Sequence, residues 1–128
     1  MIVVDASALV NALTFPNRFA PLRERLTGAG SLHAPHLVDS EVQSALRGMV
    51  AGRKVSPVLA QHALAELGDL TLARYPAAGL AHDVWALRSR ITTYDATYVA
   101  LAARLDCPLV TCDRKLARSA RGIPVEVF

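Results

Sequence analysis

The sequence of 128 residues lacks the features that mark several classes of protein. Only two cysteines are present, so we expect no disulfide-built scaffold and a cytoplasmic location. The longest apolar runs fall well short of the roughly 20 residues that span a bilayer, so no membrane segment is expected. The opening residues Met1 to Asp5 carry no basic region and include an acid, which argues against a signal peptide.

Several signatures of chemistry are missing as well. There is no Walker A loop and no G-x-G-x-x-G, so nucleotide binding by a glycine loop is excluded. No serine lies in a G-x-S-x-G elbow. The histidines are scattered, and Pro35 separates His33 from His36, so no zinc site is predicted. Cys107 and Cys112 fall in a predicted strand at a spacing that puts them on opposite faces, and we interpret them as small buried residues.

The composition that remains is typical of one globular domain. Apolar residues make up 52% of the chain and charged residues 20%, which excludes a disordered chain. A chain of this length buries enough surface for a stable core, so residues 1–128 are predicted to form a single domain. The net charge of +3 permits a nucleic-acid partner without requiring one.

Short β-branched runs alternate with helical patterns along the chain. The predicted strands are residues 2–4, 31–34, 71–74, 108–111 and 124–128. The predicted helices are residues 7–13, a stretch ending near 26, 37–51, 57–67, 77–88, 94–105 and 113–120. This alternation predicts an α/β fold with a parallel sheet and helices on both faces. Trp85, within the helix 77–88, is interpreted as a core residue or a dimer contact.

Four acids have positions that favour a site. Asp5 directly follows the first strand, and Asp113 follows the fourth. Glu41 borders the apolar stripe of its helix, and Asp95 lies in the first turn of another. Ligands of open parallel sheets bind beyond the carboxyl ends of strands where the winding reverses. If the first and fourth strands are neighbours at that point, Asp5 and Asp113 face one crevice.

Each acid also has an ordinary structural explanation. Asp5 and Asp113 are suitable helix caps, and the helix dipole favours Asp95 in its first turn. Glu41 is compatible with a solvated position at the edge of the apolar stripe of its helix. Taken together, four acids with no equally placed Lys or Arg favour a site for a hard divalent cation, Mg²⁺ or Mn²⁺. Such a site hydrolyses phosphodiesters by activating water.

Four segments carry the pattern further: MIVVDASALV, LVDSEV, YDATYVALAARL and PLVTCDRKLARSA. In this order and spacing they resemble the PIN domain, and most closely the small toxins of the VapBC toxin–antitoxin systems. The resemblance covers essentially the whole chain, and residues 94–120 are its most specific part. It implies a three-layer α/β/α fold with a five-stranded parallel sheet, and a metal-dependent endoribonuclease.

The resemblance also implies roles for individual residues. The acidic quartet that would bind Mg²⁺ or Mn²⁺ is Asp5, Glu41, Asp95 and Asp113. Ser7 and Thr111 match hydroxyl residues that orient the carboxylates or a water molecule. Ser44 stands where many relatives carry Asn, which leaves the details of that helix open. A small antitoxin protein and a homodimer are implied as partners.

The leading hypothesis is therefore an Mg²⁺-dependent endoribonuclease toxin, with Glu41 acting directly on the metal or through water. The alternatives are a non-catalytic RNA-binding protein and a receiver-like signalling module, which would need an acidic pair after the first strand. Without the quartet, 14 basic residues face 7 acidic ones, which predicts a basic exterior that binds RNA phosphates. The residues selected for that exterior are Arg53, Lys54, Arg114, Lys115, Arg118 and Arg121.

Overall fold

Strands and helices alternate along the chain in the computed structural model, which describes all 128 residues. The strands are β1 (Ile2–Val4), β2 (Leu32–Pro35), β3 (Leu72–Tyr75), β4 (Leu109–Thr111) and β5 (Val125–Val127). The helices are α1 (Ala6–Thr14), α2 (Ala20–Thr27), α3 (Leu37–Ala51), α4 (Pro57–Asp69), α5 (Ala81–Ala86), α6 (Thr93–Leu105) and α7 (Arg114–Ser119), with a 3₁₀ turn at Ala77–Leu80. None of these helices has the length and apolar character needed to cross a membrane.

The five strands form one parallel sheet in the order β3-β2-β1-β4-β5. The chain winds outward from β1 to β3 and then crosses to β4 on the other side of β1. Val3 therefore lies opposite Leu109, and Val4 opposite Val110. This confirms the predicted parallel α/β fold, and it makes β1 and β4 the neighbours at the switch point.

The strands β1, β2 and β4 are buried on both faces, whereas the edge strands β3 and β5 are partly exposed. Ile2, Val3 and Val4 have no exposed surface, as expected of a central strand covered by helices on each side. Helices α1, α3 and α4 pack on one another, whereas α6 packs on β1, β2 and β4 and carries α5. The sheet lies between these two groups of helices, which gives the predicted three layers.

Helix boundaries follow the capping residues visible in the sequence. The Ser56 hydroxyl accepts a hydrogen bond from the backbone N–H of Leu59 at 3.1 Å, and Pro57 occupies the first turn of α4. The predicted second strand ends at residue 34, whereas β2 extends to Pro35. It pairs only with Tyr75 of β3, beyond the last paired residue of β1, where a missing N–H donor has no cost.

The prediction of a helix over residues 77–88 is wrong in detail. That stretch is a 3₁₀ turn followed by the short α5, and α5 has no buried residue. Trp85 is 68% exposed, so the interpretation as a core residue is wrong. An apolar pattern this short cannot show whether another element packs against it. The two cysteines are free, with Cys107 before β4 and Cys112 after it.

Candidate active site

A cavity of about 540 Å³ opens where β1 and β4 end, and all four predicted acids line it. Asp5 follows β1, Glu41 lies on α3, Asp95 lies in the first turn of α6, and Asp113 follows β4. No Lys or Arg lines the cavity. The fold thus collects four carboxylates from distant parts of the chain and gives them no basic partner.

Asp5 is the most enclosed of the four. Its Oδ2 atom accepts hydrogen bonds from the Thr111 hydroxyl at 2.8 Å, from the Ser7 backbone N–H at 3.3 Å and from the Ser7 hydroxyl. Burial raises the pKa of the Asp5 carboxyl, while the hydrogen bonds from Ser7 and Thr111 work in the opposite direction. All three donors converge on Oδ2, so Oδ1 is the oxygen that remains for a ligand.

Ser7 and Thr111 also connect the ends of the two central strands. The Ser7 hydroxyl accepts from the backbone N–H of Cys112 at 3.0 Å, and the Thr111 hydroxyl accepts from the N–H of Asp113 at 2.9 Å. Thr111 is completely buried. The two hydroxyls therefore fix the Asp5 carboxylate relative to the turn that carries Asp113.

Glu41 is held by a residue of the core. The hydroxyl of the fully buried Tyr98 donates to Glu41 Oε2 at 2.5 Å. Burial, with the negative charges of Asp5 and Asp95, raises the pKa of Glu41, and the Tyr98 bond opposes this. Glu41, Asp5 and Asp95 thus add their negative charges to the one cavity that they line.

The other two acids belong to helix starts. Asp113 is the N-cap of α7, and its Oδ1 accepts from the N–H groups of Lys115 at 2.7 Å and Leu116 at 3.2 Å. Asp95 has its own N–H capped by the Thr92 hydroxyl at 3.2 Å. The capping explanation for Asp5 and Asp113 is thus correct, and it does not compete with a role in the cavity. One carboxylate oxygen caps, and the other stays available.

The donor set fits a hard divalent cation, because carboxylate oxygens are the ligands that Mg²⁺ and Mn²⁺ prefer. A cation bound among the four carboxylates that line the cavity would also offset the mutual repulsion of their negative charges. No three of the Asp, Glu, His or Cys side chains stand as close together as the ligands of a bound metal.

The six basic residues selected from the sequence are not gathered at the cavity. Only Lys115 lines a cleft that adjoins it, whereas Arg114 and Arg118 line a separate groove beside β5. Arg53 and Lys54 follow the far end of α3, whose last residue Ala51 lies about 15 Å along the helix from Glu41. None of the six takes part in a salt bridge.

Sequence reasoning missed two polar contributors to the site. Asn11 lines the cavity, and its position four residues after Ser7 on α1 puts both on one helix face. Tyr98 lies three residues after Asp95, which is the same kind of signal on α6. A tyrosine on an apolar stripe is interpreted as core from sequence alone, and its hydroxyl partner on α3 is visible only in the fold.

Known proteins give matches over nearly the whole chain. The family model described as "PIN domain" matches residues 2–122. Ribonuclease VapC9 of Mycobacterium tuberculosis is 42% identical, with 95% of this chain and 93% of that protein covered. Ribonuclease VapC1 of the same organism is 44% identical, with coverage of 98% and 94%. A solved structure of VapBC2 from Rickettsia felis bound to a promoter DNA fragment has a TM-score of 0.71 at 18% identity, covering 100% of this chain and 99% of that chain.

Proposed function

The chain belongs to the PIN domain family, and from this premise we propose that it is the ribonuclease toxin of a toxin–antitoxin pair. The observation that carries the proposal is the convergence of four carboxylates in one cavity that no Lys or Arg lines. PIN-domain ribonucleases depend on a divalent metal ion. We propose that the substrate is an RNA phosphodiester bond cut internally, and that residues 1–128 act as one PIN domain.

We assign the metal site to the acidic quartet. Asp5, Asp95 and Asp113 would hold the cation, which we propose to be Mg²⁺ or Mn²⁺, and Glu41 would bind it directly or through a water molecule. A cation bound there lowers the pKa of a water molecule and offsets the negative charge that develops on the phosphate. The role of the protein is to fix the carboxylates so that little reorganisation accompanies the reaction.

Ser7 and Thr111 act as supporting residues in this proposal. Each hydroxyl carries a single hydrogen, and both hydrogens are directed to Asp5 Oδ2. The Ser7 oxygen additionally accepts from the backbone of Cys112, so it is not poised as a nucleophile. The attacking group is therefore water, and the carboxylates orient it and take up its proton.

The experiment that tests this function is an RNA cleavage assay on the purified protein. Cleavage is expected with Mg²⁺ or Mn²⁺, and its loss is expected in EDTA and in the variants D5A and D95A. Circular dichroism confirms that each variant is folded. Full activity in EDTA, or in both variants, would show that the quartet is not the active site.

The partners follow from the same assignment. We propose a small antitoxin protein that occupies the carboxylate cavity, in keeping with the likeness to the Rickettsia felis VapBC2 structure. We also propose a homodimer, the assembly that the resemblance to VapBC toxins implies. The six selected cations are proposed to attract RNA from a distance, and the cytoplasm is the compartment proposed for the reaction.

The two alternative functions are not favoured. A receiver-like module needs an acid after its third strand, and here Tyr75 ends β3 and Pro76 follows it. An RNA-binding protein without catalysis would have no use for four acids in one cavity.

A further inference from the structure

A second cleft, of about 300 Å³, adjoins the carboxylate cavity and has the opposite charge. One side is the turn between α5 and α6, and the other is α7. We call it the basic cleft, and its polar lining residues are Arg88, Ser89, Arg90, Thr92, Asp95, Lys115 and Ser119. Asp95 is shared with the carboxylate cavity, so the two sites are continuous.

The cations of the basic cleft have no acidic partner. The four salt bridges of the protein use other arginines, namely Arg23, Arg25, Arg74 and Arg104. Asp95 is the only acid in the lining, and it makes no salt bridge with Arg88, Arg90 or Lys115. Three positive charges gathered in one cleft repel each other, and an anion bound among them relieves that repulsion.

Arg88 is held in place by Trp85, the residue interpreted from the sequence as core or as a dimer contact. Its guanidinium lies over the Trp85 ring, 5.0 Å from the ring centre, and one N–H donates to the Trp85 carbonyl at 3.0 Å. This contact uses one of the five N–H donors of the guanidinium. The exposed Trp85 therefore orients the Arg88 guanidinium, which keeps further N–H donors for a ligand.

We propose that the basic cleft binds a backbone phosphate of the RNA next to the bond that is cut. This inference rests on the proposed function. Four carboxylates repel a phosphodiester, so the substrate needs cations beside the cavity that do not enter it. A strand whose reactive phosphate lies among the carboxylates leads past Asp95 into this cleft, where hydroxyls and cations suit phosphate oxygens. Of the predicted cations only Lys115 is included, and Arg88 and Arg90 are new.

The test measures RNA affinity separately from cleavage. A labelled single-stranded RNA is titrated with D5N protein in EDTA, and the dissociation constant is followed against salt concentration by fluorescence anisotropy. R88Q and R90Q are each compared with R18Q. Arg18 is a matched control, because its guanidinium also lies over an aromatic ring, that of Phe19 at 5.6 Å, and also forms no salt bridge. It follows the opposite end of α1 from Asp5.

The expected result is weaker binding by R88Q and R90Q and a smaller salt dependence. For each phosphate of a single strand that the protein no longer neutralises, the slope of log K against log salt falls by about 0.7. R18Q keeps the slope of the parent protein. Slopes for R88Q and R90Q equal to that of R18Q overturn the proposal and leave an acidic protein surface as the better ligand for the cleft.

A second arm identifies the phosphate. One linkage at a time in the RNA is replaced by an uncharged methylphosphonate. The replacement next to the cleaved bond is expected to weaken binding to the parent protein and to R18Q but not to the double variant R88Q/R90Q. An equal loss in all three proteins overturns the proposal. If RNA binds in this way but is never cut, the proposed function fails alone; if RNA is cut while the cleft variants match R18Q, the cleft assignment fails alone.

Discussion

The carboxylate cavity and the basic cleft adjoin each other, yet their charged groups differ in how firmly hydrogen bonds and salt bridges hold them. Asp5, Glu41 and Asp113 each accept at least one hydrogen bond from the protein on a single oxygen. The cleft cations make no salt bridge, and Arg88 has one hydrogen bond to its own turn. Metal binding and water activation need fixed geometry, whereas a phosphate is attracted by charge over a range of positions. Substitutions that remove an acid should therefore reduce metal binding and cleavage most. Substitutions that remove only the hydrogen-bond donor of an acid should reduce them less.

The largest effect is expected at Asp113. Asparagine caps a helix as well as aspartate does, so D113N should keep its Tm while losing the charge. Cleavage should fall by more than the roughly 10- to 100-fold that is typical of losing a supporting residue. The matched control is D39N, because Asp39 pairs with Arg74 outside the cavity at 2.7 and 2.8 Å. D39N should lose a little stability and no activity, as measured by thermal melting and RNA cleavage. A loss of cleavage in D39N but not in D113N would contradict the assignment of Asp113 to the active site.

Valine substitutions at two buried threonines distinguish a hydroxyl that supports the metal site from one that is only buried. T111V removes the donor to Asp5 and the acceptor for the Asp113 N–H, so metal affinity should fall about 10- to 100-fold. T14V removes a buried hydroxyl that has no hydrogen-bond partner, so stability should be unchanged or about 1 kcal/mol higher. Isothermal titration with Mn²⁺ measures the metal affinity, and thermal melting measures the stability. Equal losses of metal affinity in the two variants would argue against a supporting role for Thr111.

Tyr98 should show a smaller effect of the same kind. Y98F leaves the ring in the core and removes only the donor to Glu41, so Mn²⁺ affinity should fall about tenfold. Y75F is the control, because the Tyr75 hydroxyl contacts His33 Nδ1 at 2.8 Å away from the cavity. Both variants lose one hydrogen bond, so both should lose about 1 kcal/mol of stability. A weaker affinity in Y75F than in Y98F would reject Tyr98 as a positioning residue.

The smallest effect is a pH dependence of stability in the absence of metal. Burial holds the pKa of Asp5 in the folded protein above its ordinary value. At a pH below the ordinary pKa, Asp5 is protonated in both the folded and the unfolded chain, so its burial does not reduce the stability. As pH rises through the raised pKa, ionisation destabilises the folded chain. In EDTA, the Tm of D5N minus that of the unsubstituted protein should therefore increase with pH and then level off. A difference that is constant or falls with pH would contradict the raised pKa.

The sequence was most informative where a local pattern fixes the structure. The run Ile2–Val4 predicted a buried strand, and Ser56 with Pro57 marked the start of α4. It was least informative at residues 77–88, where a short apolar pattern gave no sign that no residue of α5 is fully buried. The same limit hid the hydrogen bond from Tyr98 to Glu41, because the two residues are 57 positions apart.

The sequence by itself determined the alternation of strands and helices, the acids at their ends and the resemblance that links them to a nuclease family. These are local features, set by side-chain periodicity, caps and residue order. Only the tertiary structure decided that β1 and β4 are neighbours, that Thr111 reaches Asp5, and that Arg88 lies over Trp85 beside the carboxylates. Those contacts depend on the winding of the sheet and on which surfaces remain uncovered, and both are properties of the whole chain.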